Sequence, residues 1–157
     1  MLLPYLVGVW EKNEGIGPAL SVRIGGSVEA KLIDGTHPAD FSGLELDLLV
    51  VSPEAVGWMG AGGLTTRAVL LPGSAGPLSR ILRTDRVVSY GSSPKDTLTF
   101  SSLEGSQLCL ALQRELVTLE GTVLEEQEFV LRYPEDTTPR RFLAVTGAVL
   151  LLGGQLT

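Results

Sequence analysis

The sequence predicts an α/β fold: a single three-layer domain with a partly parallel central sheet, an antiparallel extension and an apolar C-terminal helix. Apolar, strand-like runs at residues 46–52, 67–72 and 86–90 alternate with short segments that resemble helices. This alternation is typical of a parallel sheet that is covered on both faces. Beyond residue 91 the apolar and polar residues alternate instead, which predicts antiparallel strands.

The first 45 residues are the least regular part of the chain. Residues 19–24 and 27–33 flank Gly25 and Gly26. A Gly-Gly pair supplies the positive φ that two-residue hairpin turns require, so this segment predicts a β-hairpin.

Helices are predicted after the first two parallel strands. Ser52 suits an N-cap and Pro53 the first helical position, and this helix would end at the glycines of residues 57–63. A second helix is predicted over residues 74–82, where three apolar residues fall on one face at helical spacing.

The antiparallel part is predicted from five strand-like segments and a Glu-Gly turn. These strands are expected at residues 96–100, 107–113, 116–119, 122–124 and 128–133. Cys109 stands between leucines in one of them and is interpreted as a small buried hydrophobic residue.

The C-terminal helix has clear signals at both ends. Thr138 is a candidate N-cap, Pro139 suits the first helical position, and Gly153 provides a stop. Its middle, residues 143–152, is apolar almost all round, which predicts burial in the core or in a subunit interface.

Composition limits the possible partners and locations. The 157 residues suit one domain, 1–157, and the net charge of −6 argues against a nucleic-acid partner. The single cysteine allows no intramolecular disulfide and predicts a cytoplasmic protein. The apolar run at residues 142–152 is too short for a bilayer, which needs about 20 residues, so no membrane partner is expected.

Two polar loops follow predicted parallel strands, at residues 72–77 and 89–97. Open α/β sheets bind ligands at the carboxyl ends of their strands, and hydroxyls, glycine amides and a lysine suit a phosphate or carboxylate. A plain polar turn is the alternative for each loop. The candidate ligand-binding residues are Gly73, Ser74, Ser89, Tyr90, Gly91, Ser92, Ser93, Lys95 and Asp96.

Other functional patterns are weak. Ser92 and Lys95 match the Ser-x-x-Lys pattern of acyl-enzyme hydrolases, but the chain has no Lys-Thr-Gly tripeptide, so a chance match is favoured. The glycines of residues 57–63 fail the dinucleotide spacing, because Thr65 stands where the third glycine is required. Trp58 and Met59, in that segment, could line a pocket or cover the core, and the core interpretation is favoured. No cofactor is expected.

A metal site is a remote alternative. Asp34, His37 and Asp40 share a three-residue spacing and would offer oxygen and nitrogen ligands. Three ligands in one loop, without a second cluster, form a weak pattern.

The segment from Arg67 to Phe100 resembles the end of the central domain of Mur ligases and cyanophycin synthetases. The family has an apolar strand, a loop with a proline, a helix, and a strand ending in Val-Thr-Tyr-Gly; here residues 87–91 read Val-Val-Ser-Tyr-Gly. The resemblance implies an α/β fold. Nothing in this chain matches the family's Gly-Thr-Asn-Gly-Lys-Thr phosphate loop, so ATP-dependent ligation is not implied.

Three functional hypotheses remain open. The first is a non-catalytic binding or interaction module that forms a homo-oligomer, favoured by the low charge density of 19% and the apolar helix. A second hypothesis is a binder of, or enzyme on, a small anionic ligand held by the loops 72–77 and 89–97. The third is a metal-dependent activity centred on His37. No catalytic constellation is evident, which favours a protein that is not an enzyme.

Overall fold

The computed structural model describes residues 3–55 and 57–156 and contains ten strands, two α-helices and three 3₁₀ helices. The strands are β1 (Tyr5–Trp10), β2 (Ala30–Gly35), β3 (Glu45–Val51), β4 (Thr65–Pro72), β5 (Arg83–Tyr90), β6 (Leu98–Glu104), β7 (Gln107–Leu112), β8 (Leu116–Val117), β9 (Val123–Leu124) and β10 (Gln127–Arg132). The α-helices are α1 (Ile16–Ile24) and α2 (Pro139–Leu151), and the 3₁₀ helices are Pro38–Phe41, Trp58–Ala61 and Gly73–Arg80.

Eight strands form one mixed sheet in the order β10-β7-β6-β5-β4-β3-β1-β2. Strands β1 to β5 all run parallel to one another. Strands β7 and β10 are antiparallel to their neighbours. This arrangement confirms the α/β class and the three predicted parallel strands. The prediction of an antiparallel β6 is wrong for its junction with β5, because Leu98 pairs with Tyr90 in parallel orientation.

The predicted hairpin over residues 19–33 is wrong, because this segment forms α1 and β2. Leu20 and Ile24 suit both an alternating strand and one face of a helix, so the local pattern is ambiguous. In the fold, α1 buries both side chains and connects β1 to β2, which pair in parallel. Gly25, at φ 40°, ends the helix instead of making a hairpin turn.

Neither predicted helix after a parallel strand is an α-helix. A turn follows β3, and the hydroxyl of Ser52 donates to Glu14 instead of capping a helix. The segment after β4 is the 3₁₀ helix Gly73–Arg80, which contains Pro77 and a non-helical Ala75. Proline and glycine disfavour longer helices here.

The core interpretation fails for Met59, which is 97% exposed, whereas Trp58 packs against the core.

Two hydrophobic clusters lie on opposite faces of the sheet. The larger packs under α1, α2 and the β8–β9 hairpin, and the smaller packs under the three 3₁₀ helices. These layers bury α2 within the chain, from Phe142 to Leu151. Gly147 lets α2 approach the sheet, because a Cβ there would lie 2.8 Å from Leu98 Cδ1.

The predicted ends of α2 are confirmed. The Thr138 side chain accepts from the backbone N–H of Arg141 at 3.3 Å, and Gly153 follows the helix at φ 83°. Cys109 is only half-buried, on the face opposite the buried Leu108 and Leu110, so its interpretation as a fully buried residue is wrong. In the described part of the chain, no helix has the length and apolarity needed to cross a membrane.

Candidate functional site

The carboxyl edge of the parallel strands holds the candidate site. The strand order reverses at β1, whose neighbours are β2 on one side and β3 on the other. In open α/β sheets, ligands bind at such a reversal, beside the loops that follow the strands. The loop after β1 (residues 11–15) and the loop after β3 therefore lie at this edge, together with the two polar loops that follow β4 and β5.

The side chain of Glu11 closes the loop after β1. Its two carboxylate oxygens accept from the first backbone N–H groups of α1, at 2.9 Å from Ile16 N and 2.8 Å from Gly17 N. Free N–H groups at a helix N-terminus are the usual ligands of a phosphate. Here a carboxylate of the chain itself occupies that position. Glu11 is buried, with only 7% of its surface exposed.

Asp34, at the end of β2, lies beside this carboxylate. Burial raises the pKa of Asp34 above its usual value, and the hydrogen bond to Glu11 and the negative charge of Glu11 raise it further. A cavity of about 560 Å³ adjoins the pair. Its polar lining residues are Glu11, Asn13, Asp34, Thr36 and Asp40.

Two of the three candidate metal ligands, His37 and Asp40, have local structural roles. Asp40 Oδ2 accepts from the N–H groups of Thr36 and His37, and His37 Nδ1 accepts from Ala39 N at 3.2 Å. Together they cap the 3₁₀ helix Pro38–Phe41. Among residues 3–55 and 57–156, no three His, Cys, Asp or Glu side chains stand close enough to hold a metal ion.

An ionic cluster around the buried carboxylate of Glu14 joins the loops after β1 and β3 to the start of α2. The Glu14 side chain has no exposed surface and accepts from the Ser52 hydroxyl. Arg141 Nε lies 3.8 Å from Glu14 Oε2, and Arg141 Nη2 lies 3.6 Å from Glu54 Oε2. The cluster therefore positions the first turn of α2 over the carboxyl edge of the sheet.

Tyr90 is a structural residue of this edge. Its side chain is fully buried, and its hydroxyl donates to the carbonyl of Val51 at 2.6 Å. Burial raises the pKa of Tyr90 well above its usual value, and the negative charge of Glu14 adds to the effect. Tyr90 thus braces β5 against β3 and offers no free group to a ligand.

The two predicted ligand loops meet through Asp96, which is 4% exposed. Its carboxylate lies against the backbone of both Gly73 and Gly91; a Cβ at Gly91 would be 2.6 Å from Asp96 Oδ2. The same oxygen accepts from Ser93 N at 3.1 Å. Gln113 adds hydrogen bonds to the carbonyls of Ser93 and Asp96. The loops after β4 and β5 therefore form one continuous polar surface.

Some of the candidate residues are buried and have structural roles, and the others are exposed to solvent. Ser89 is half-buried and accepts from Thr97 N at 3.3 Å. The side chains exposed to solvent are those of Ser74, Ser92, Ser93 and Lys95. Ser93 Oγ accepts from Lys95 N at 3.1 Å, which explains the Ser-x-x-Lys pattern as a turn.

Arg140 is a residue of this surface that the sequence analysis did not identify. Its Nη2 lies 3.4 Å from Ser74 Oγ, although the two residues are 66 positions apart. Within the described ranges, neither Arg140 nor Lys95 forms an ion pair with a carboxylate. The one feature of the sequence that could have indicated a role for Arg140 is its position, with Arg141, at the start of a helix. The helix dipole disfavours cations there, so two arginines are unusual.

Comparison with known proteins identifies a fold. No family model matches the sequence, and no curated protein matches it. The chain is similar to MurF from Acinetobacter baumannii, with a TM-score of 0.57 and 8% identity over 98% of this chain. It spans 43% of that MurF chain, less than half of its length. The partial resemblance to Mur ligases is therefore confirmed for the fold, and at this identity for the fold alone.

We expect Glu11→Ala to lower the free energy of unfolding by about 1–2 kcal/mol, because two N–H groups of α1 lose their acceptor. Glu11→Gln should cost less, since its amide oxygen still accepts one of the two hydrogen bonds. Urea denaturation measures both values. Lys12→Ala, at an exposed neighbour, is the control. A Glu11→Ala protein as stable as the wild type would contradict the capping role.

We also expect Asp34→Asn to stabilise the protein at pH 7. A carboxyl whose pKa is raised in the folded state favours folding below its ordinary value of 3.8 and loses that contribution as the pH rises through the raised pKa. The gain in melting temperature should therefore shrink as the pH falls towards 3.8. Asp85→Asn, at an exposed carboxyl on β5, is the control. A gain that does not change with pH would exclude this explanation.

Proposed function

We propose that this protein is a non-catalytic binding module that holds a small anionic ligand, bearing a phosphate or a carboxylate, at the carboxyl edge of its sheet. The contact between Arg140 and Ser74 carries the proposal, because it brings an arginine to the polar loops 72–77 and 89–97. Arginine is well suited to phosphate and carboxylate groups, to which it donates paired hydrogen bonds.

The local electrostatics favour an anion. Arg140 lies in the first turn of α2, where the helix dipole is positive. Lys95 is exposed on the adjoining loop, and within the described ranges neither cation is neutralised by an ion pair. Arg141, by contrast, is committed to Glu14 and Glu54. The net charge of −6 belongs to the whole chain, so this basic edge is a local exception.

Each candidate residue receives a role in this proposal. Arg140 and Lys95 contact the anion, and the hydroxyls of Ser74, Ser92 and Ser93 orient it. The remaining candidates, Gly73, Ser89, Tyr90, Gly91 and Asp96, hold the loops in place and do not contact the ligand.

A binding role is favoured over catalysis by the partners of the hydroxyls. The Ser74 hydroxyl contacts a guanidinium, and the Ser93 hydroxyl accepts from a backbone N–H, so neither is paired with a base that would activate it. The open sheet that the chain has in common with MurF is a frequent ligand-binding architecture. The single cysteine supports a cytoplasmic location.

Inorganic phosphate and succinate are suitable first probes, and we expect at least one to raise the melting temperature. A ligand at 100 times its dissociation constant adds about 2.7 kcal/mol, which shifts the midpoint by several degrees. Lys95→Ala and Arg140→Ala should each weaken binding about tenfold without unfolding the protein, since both side chains are exposed. Lys31→Ala, on β2, removes an exposed cation far from the site and should bind normally. Equal affinity in all these variants would refute the site.

We also propose that the protein forms a homo-oligomer through the open face of its antiparallel extension. Val130 of β10 is 67% exposed on the side of the sheet opposite α2, and its neighbour Cys109 of β7 is half-buried there. Among the described elements, the three 3₁₀ helices that cover this side have no extensive contact with β7 or β10. Exposed apolar side chains on one face favour association of identical chains.

Light scattering coupled to size exclusion tests this association. We expect the wild type to have a mass that is a multiple of 16.7 kDa, and Val130→Lys to shift it to the single-chain mass. Val22→Lys, at an exposed valine on α1, is the matched control and should leave the mass unchanged. A wild-type protein that stays a monomer at high concentration would exclude the oligomer.

A further inference from the structure

A second cavity, of about 600 Å³, lies at the end of α2 remote from Arg140. It opens between β10, the β8–β9 hairpin and the segment that follows α2. Because α2 has 13 residues, its two ends are roughly 20 Å apart, so this cavity is separate from the anionic edge.

Apolar side chains line most of the cavity. Phe129 and Leu131 point into it from alternate positions of β10, and Leu124, Leu150 and Leu156 complete the apolar walls. Leu124 and Phe129 are only partly buried by the chain itself. Polar side chains, among them Thr118, Thr122, Gln127 and Gln155, line the rest of the cavity. A concave site of this volume that combines apolar walls with polar groups is typical of small-molecule binding sites.

The charged groups around the cavity have one sign. Its charged lining residues are Glu120 and Glu128. Glu120 Oε1 lies 2.6 Å from the position that a Cβ on Gly153 would take. Glu120 also borders an adjoining cavity of about 520 Å³, together with Glu29. Of the described residues, no lysine, arginine or histidine lines either cavity.

Among the described residues, neither of the two nearby arginines forms an ion pair with a carboxylate of the cavity. Arg86 donates to the carbonyls of Val117 and Thr118, and Arg67 donates to the carbonyl of Leu119 and pairs with Asp47. The C-terminus of α2 also borders the cavity, and its last turn contains no basic residue. Because the helix dipole is negative at this end, it adds to the attraction for a cation.

We propose that this cavity binds a small organic cation with an apolar body, such as a primary amine that carries an aromatic or branched aliphatic group. The body packs against Phe129, Leu131 and Leu124, and the ammonium donates to the carboxylate of Glu120. An anion of the same shape would meet Glu120 and the negative end of α2, so charge selects among ligands of equal apolar area. This proposal does not depend on the anionic site at the other end of the helix.

Three probes of the same shape test the charge selection: phenethylamine, phenethyl alcohol and hydrocinnamate. Titration of the full chain, followed by amide chemical shifts, should show the amine binding about tenfold more tightly than the alcohol, and the alcohol more tightly than the carboxylate. The shifted amides should belong to β10, to the β8–β9 hairpin and to the residues after α2. Binding of amine and carboxylate with equal affinity, or binding of none of the probes at millimolar concentration, would overturn the proposal.

Variants separate the charge effect from the apolar effect. Glu120→Gln should remove the preference for the amine and leave the alcohol unaffected, whereas Glu126→Gln, an exposed neighbour outside the cavity, should change neither. Phe129→Ala should weaken all three probes, and Val123→Ala, an exposed residue of β9, is its control. If Phe129→Ala does not fold, Leu124→Ala takes its place. A preference for the amine that persists in Glu120→Gln would refute the role of that carboxylate.

Arg140→Ala distinguishes the two sites. This variant should weaken the binding of whichever anion binds the wild type, phosphate or succinate, about tenfold. It should leave the binding of phenethylamine unchanged. Loss of both responses would show that the amine does not bind at an independent cavity, and would overturn this inference.

Discussion

The buried carboxylate of Glu14 is the constraint on which the carboxyl edge of this protein depends. A charge without exposed surface is tolerated only when it is paired and hydrogen-bonded, and Glu14 obtains these partners from Ser52 and Arg141. Those residues belong to the loop after β3 and to the first turn of α2. The pairing therefore holds α2 over the sheet, and its neighbour Arg140 consequently lies beside Ser74.

The same edge is divided into two electrostatic zones. Over β1 and β2, the carboxylate of Glu11 accepts from the first N–H groups of α1, and Asp34 lies beside it. This zone is therefore acidic, and the N–H groups that could bind an anion already have an acceptor. Over β4 and β5, Arg140 and Lys95 make the surface basic. An open α/β sheet offers its strand-order reversal as the default ligand site. In this chain the internal carboxylates favour a position displaced from it, at the loops that converge on Asp96.

Helix α2 links this edge to the opposite end of the molecule. It is buried along most of its length, and its dipole is positive at Arg140 and negative beside the cavity near Glu120. Arg140 at the first turn and Glu120 beside the last have the same sign as the dipole at their end of the helix. Complementary ligands are therefore of opposite charge, an anion at the first turn and an organic cation at the last. The orientation of the buried helix is thus a common physical basis for the two proposed sites of different chemistry.

The sequence alone determined the elements whose signals are local: the strands β3, β4 and β5, the β8–β9 hairpin, and α2 between Thr138 and Gly153. Short-range periodicity and capping residues encode these features directly. Only the tertiary structure decided that residues 16–24 form a helix, because Leu20 and Ile24 suit either period and the parallel pairing of β1 with β2 requires a crossover. The contact of Arg140 with Ser74 joins residues 66 positions apart, and such contacts follow from strand order, which local patterns do not specify.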